Sequence, residues 1–81
     1  MSPATYMLFF AYEDRPGVIG KVGTILGQHD VNIATMDVGR ATRGGTALMA
    51  LTLDSAVTPV IIEEISTAVG AADAWFVVLP D

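Results

Sequence analysis

The residues best equipped for chemistry sit close together near the N-terminus, in the stretch YEDRPGVIG at positions 12–20. Tyr12 carries a hydroxyl that donates or accepts, and Asp14 a carboxylate. Asn32, further along, has an amide with both donors and an acceptor. A helix N-terminus presents unpaired N–H groups and a partial positive charge, which together seat a carboxylate. Asp14, just ahead of the predicted helix, supplies oxygens for an ammonium group. Tyr12, two residues earlier on a strand, points the same way by alternation. Tyr12, Asp14, the N–H groups near Pro16, Gly17, Val18 and Ile19, and Asn32 therefore describe a site for a small zwitterion.

Each residue also has a purely structural reading. Asp14 caps the helix or offsets its dipole. Asn32 satisfies a turn. Tyr12 is a core ring with its hydroxyl at the edge. Arg15 belongs with the candidate site by position, although its type fits a solvated or interface charge better than a ligand group.

The elements that must position these groups follow from the pattern. YMLFFAY, 6–12, is a nearly continuous apolar run that predicts a central strand. Pro16 fits the first turn of a helix, where its missing N–H costs nothing. Val18, Ile19, Val22, Ile25 and Leu26 recur at helical spacing, and the helix should end near Gln28–Asp30. VNIATMDVGRA, 31–41, predicts a strand with Met36, Val38 and Arg40 on one face. Ile33 is out of phase with them, which predicts a bulge near Ala34–Thr35. TRGG, 42–45, signals a hairpin into a strand at 46–54. Thr58 and Pro59 read as N-cap and first residue of a second helix, with Ile61, Ile65, Ala68 and Val69 inward and Gly70 as the stop. AWFVVLP, 74–80, is the last strand.

The order β-α-β-β-α-β predicts an α+β, ferredoxin-like sandwich: a four-stranded antiparallel sheet with both helices on one face. Residues 1–5 read as a short leader and 6–81 as the domain. Asn32 then lies about 18 Å from Asp14, a helix length away. The two meet only if two copies of the chain pack together.

Gly20, Gly23 and Gly27 fall on one narrow stripe of the first helix, nearly opposite its apolar face. Each costs about 1 kcal/mol relative to alanine. Bare backbone on an outer face allows close approach by a ligand or a second copy; a tolerant surface is the alternative. The G-x-G-x-x-G and P-loop patterns are absent. GVIG matches the G-x-x-G of KH domains without their basic surface.

With 81 residues the chain is one small domain, and 52% apolar residues exceed what so small an interior needs. No cysteine is present, so disulfides and thiolate metal sites are excluded. A net charge of −5 with four basic residues argues against nucleic acid. No apolar run is long enough to span a membrane. His29, the single histidine, reads as a helix C-terminal cap, and Glu63 and Glu64 as solvated charge. No base–nucleophile pair is present, so the chain is not read as an enzyme and no cofactor or metal is implied.

YEDRPGVIGKVGTILGQHDVNIATMDVGR resembles the ACT domain, a small amino-acid-sensing regulatory module. The carrying features are a strand, D-R-P-G-V, a helix and then V-N-I, and the likeness runs from Tyr6 to Leu79. GRATRGGTALMALTLD and WFVVLP are most similar to the ACT domains that close an NAD-dependent dehydrogenase of serine synthesis. The resemblance implies side-by-side pairing of two domains into one eight-stranded sheet. L-serine would bind at the interface on Tyr12, Asp14 and Asn32, with Ile33 beside them, and catalytic domains would lie upstream in a cytoplasmic enzyme. Many members carry histidine and asparagine at the positions of Tyr12 and Asp14; the tyrosine–aspartate version also occurs and keeps the chemistry for an ammonium group. A ligand-free assembly module and a free-standing amino-acid sensor are the competing functions.

Overall fold

The computed structural model describes residues 5–40 and 45–80. The leader before Thr5, the 42–44 part of the expected hairpin turn and the side chain of Arg40 lie outside that description. The elements are β1 (Thr5–Glu13), α1 (Val18–Gln28), β2 (Ile33–Arg40), β3 (Thr46–Leu53), α2 (Pro59–Val69) and β4 (Asp73–Leu79). They form one four-stranded sheet in the order β2-β3-β1-β4, with every neighbouring pair antiparallel. This is the ferredoxin-like arrangement that the sequence predicts.

Alternation decides which face is covered. On β1, Leu8, Phe10 and Tyr12 point to the helices and are almost wholly buried. Their neighbours in register on β3, Leu51, Met49 and Ala47, are buried with them. Val18, Val22, Ile25 and Leu26 of α1 and Ile65 and Val69 of α2 close the same cluster. The other face carries Phe9 opposite Trp75 and Met7 opposite Val77, half-buried or exposed.

Local signals explain the ends. Thr58 caps α2 by accepting from Ile61 N–H at 3.3 Å, and Gly70 ends it in the left-handed region at φ 66°. The register shift between Ile33 and Thr35 is the predicted bulge; it lets Ile33 pack on the core together with Met36 and Val38. α1 ends as Asp30 takes φ 59° and Val31 N–H returns to Leu26 O at 2.9 Å.

Two expectations are corrected. Pro16 does not open the helix. Gly17 is the N-cap, at φ 88°, a conformation that proline cannot reach and glycine adopts freely, so Pro16 sits in the preceding turn. Glu64 is not simply solvated: the antiparallel helices bring it to 2.9 Å from His29 Nε2.

Candidate functional site

The C-terminal end of β1, the turn after it and the first turn of α1 enclose a cleft of about 360 Å³. Its lining comprises Tyr12, Asp14, Arg15, Pro16, Gly17, Val18, Ile19, Gly20 and Val38. Sequence reasoning named all of these except Gly20 and Val38 as site residues. Gly20 was visible only as part of the glycine stripe. Val38 was visible only as an inward residue of β2; its register opposite Met49, which itself faces Phe10, is what carries it to the cleft.

The cleft has two unlike sides. Lys21 N–H makes the first intrahelical bond, to Gly17 O at 3.1 Å, so the N–H groups of Val18, Ile19 and Gly20 precede the ladder. The cap is a glycine with no side chain to cover them. Asp14 is half-buried beside them, its own N–H held by Gly45 O at 2.9 Å. Opposite lie apolar walls: Val38 and the ring of Tyr12, which is only 2% exposed and belongs to the core cluster. The structural reading of Tyr12 and its place in the cleft are therefore compatible.

Arg15 lines the cleft, and its guanidinium is engaged by a residue outside that lining. Its Nη2 donates to Val69 O at 2.7 Å, at the end of α2. Lys21 Nζ reaches Ala68 O at 3.5 Å. Both cations thus face the negative end of the α2 dipole.

Asn32 and Ile33 do not reach the cleft. They lie beyond the far end of α1, whose 11 residues separate them from it by about 16 Å. Asn32 N–H donates to Asp54 Oδ1 and its carbonyl accepts from Asp54 N–H, both at 3.1 Å, while the residue is exposed. Among the described residues no three His, Cys, Asp or Glu side chains gather to hold a metal, and no helix is long and apolar enough to cross a membrane.

The family model for the ACT domain matches residues 6–70. The chain is 47% identical over 77 residues to D-3-phosphoglycerate dehydrogenase of Synechocystis sp., a match that takes in 95% of the chain and 14% of that protein. It is 43% identical over 79 residues to the D-3-phosphoglycerate dehydrogenase of Archaeoglobus fulgidus, covering 95% and 15%. The chain thus spans about one seventh of the length of these relatives. A formyltetrahydrofolate deformylase from Pseudomonas syringae shares the fold at a TM-score of 0.77 and 19% identity, over 96% of this chain and 28% of that one. The chain belongs to the ACT domain family of regulatory domains. Its sequence relatives are D-3-phosphoglycerate dehydrogenases, of which it resembles the ACT portion.

Proposed function

We propose that this chain is the amino-acid-sensing domain of a D-3-phosphoglycerate dehydrogenase, a cytoplasmic enzyme whose catalytic domains lie upstream, and that its ligand is L-serine, acting as feedback inhibitor. The ligand carboxylate takes the N–H groups at the start of α1, and its ammonium group takes Asp14. Asn32 completes the site from a second copy. The observation that supports this reading is what lies near the two ends of one edge strand. β2 is at the sheet edge; its C-terminal part lends Val38 to the cleft, and Asn32 immediately precedes its start. When two β2 edges pair antiparallel about a two-fold axis, the start of one strand comes opposite the end of the other. Each cleft then receives Asn32, with Ile33 beside it, from the neighbouring chain. The glycine face of α1 is also open to a second copy: outside the helix's own backbone and the adjacent residues, no atom lies within 4 Å of where a Cβ would stand on Gly20, Gly23 or Gly27.

Mixing two crippled chains tests the shared site. Asp14→Ala and Asn32→Ala homodimers each lose serine binding. After subunit exchange, heterodimers hold one intact site, so about a quarter of the parental sites return in calorimetry. A mixture no better than its components places the whole site within one chain and refutes the arrangement. A dimer that ignores every amino acid makes the domain an assembly module.

A further inference from the structure

Arg15 stands between Asp14 and Pro16 in the loop that forms the cleft, yet its guanidinium is bonded to Val69 O, a group outside the cleft lining. We propose that Arg15 is a positioning residue for the amino-acid site and that Gly70, on the far helix, is glycine in part to admit it. The proposal rests on the reading of the cleft as an amino-acid site.

The loop is tethered from two sides. Asp14 N–H holds it to Gly45 O, beside the start of β3, at 2.9 Å. Arg15 Nη2 holds it to the last turn of α2 at 2.7 Å. Between these tethers and the helix start, Gly17 turns the chain through the left-handed region. Without the second tether the loop loses its hold on α2, and the Asp14 carboxylate is less firmly spaced from the N–H groups of Val18 and Ile19. A zwitterion needs that spacing, because its two charges are a fixed distance apart. Arg15 is exposed as a residue while its bond to Val69 is part-buried, so the tether is of moderate strength.

Gly70 is where the tether can be probed without touching the cleft. A Cβ placed there stands 3.0 Å from Arg15 Nη2 and 3.9 Å from its Cζ. The neighbour is the end of a flexible side chain, so it is the guanidinium that gives way. Asparagine tolerates a φ of +66° better than other side chains do. Gly70→Asn therefore keeps the α2 cap and pushes the Arg15 guanidinium off its close bond to Val69 O, from a position that contacts no ligand.

L-serine is titrated into the parent, Arg15→Ala, Gly70→Asn and the double variant, with thermal unfolding and amide hydrogen exchange followed alongside. Each single variant weakens serine binding about three- to ten-fold, the range for partial loss of one charge-assisted hydrogen bond. The double variant is no weaker than the worse single one, since both act through one contact. Exchange quickens at the bonded amides of Asp14 and Lys21, on either side of the loop, in the ligand-free variants while the melting temperature stays within a few degrees, and Arg15→Lys recovers part of the affinity. A Gly70→Asn chain that binds and exchanges like the parent overturns the proposal, and so do effects that multiply in the double variant. If the parent takes up no serine, it is the ligand reading that falls; exchange at the Asp14 and Lys21 amides then decides the positioning role, and unchanged exchange refutes it.

Discussion

Replacing Gly23 and Gly27 with alanine separates the needs of the single chain from those of its assembly. Outside the helix's own backbone and the adjacent residues, nothing lies within 4 Å of the added methyl at either site, so neither substitution meets a tertiary clash. Both residues lie in α1 and neither has a positive φ. Alanine at an interior helical site is favoured over glycine by about 1 kcal/mol, and by less near a helix end, where Gly27 stands. The pair should stabilise the isolated chain by about 1.5 kcal/mol. A domain of this size gains about 4–8 °C per kcal/mol, so its melting temperature should rise by about 6–12 °C.

Association should move the other way. If the glycine face of α1 meets the same face of a second copy, each methyl occupies space that the partner backbone needs. Overpacking of that kind costs about 1–3 kcal/mol, a loss of about 5- to 150-fold in dimer affinity. The assays are thermal unfolding at a dilution where the chain is monomeric and sedimentation equilibrium across a concentration series. A stabilised monomer with an unchanged dimer constant refutes the contact and leaves the glycines as tolerated surface. A destabilised monomer refutes the packing argument itself.

Two smaller tests address the frame around the site. Thr58→Ala removes the one side-chain cap of α2 and should cost about 1 kcal/mol in denaturant unfolding, whereas Thr58→Ser should be nearly neutral. His29→Ala breaks an exposed hydrogen bond with Glu64 and should cost less than about 1 kcal/mol in denaturant unfolding; a larger loss would mean that the ring contributes through packing.

The strands and helices were legible because their burial follows a short period. Leu8, Phe10 and Tyr12 alternate, Val18, Val22, Ile25 and Leu26 recur along one helix face, and Thr58-Pro59 and Gly70 bracket α2 with local chemistry. Even the bulge could be read, because Ile33 and Met36 cannot share a face without it. Pro16 read as a first-turn residue, but the left-handed turn at Gly17 makes Gly17 the N-cap, and backbone dihedrals leave no mark in composition. Much of the cleft lies within one contiguous segment, which is why it could be anticipated. Val38 comes from another strand, and its place depends on register. The link from Arg15 to Val69 spans 54 positions, and no local pattern announces it.

The same topology binds sensing to assembly. Asn32 and the cleft cannot serve one ligand within a single chain, because α1 holds them apart. On the proposed pairing each ligand touches two chains, and a monomer offers only half a site. Ligand then stabilises the dimer by mass action: at one hundred times its dissociation constant each site adds about 2.7 kcal/mol, and a dimer has a pair of them. The cleft, through Val38, and Asn32 lie toward opposite ends of the edge strand β2, so on that pairing a change at either one is a change in how two sheets meet. A regulatory domain that works this way needs no catalytic group. Its output is the relative placement of two copies, which whatever each copy is attached to must follow.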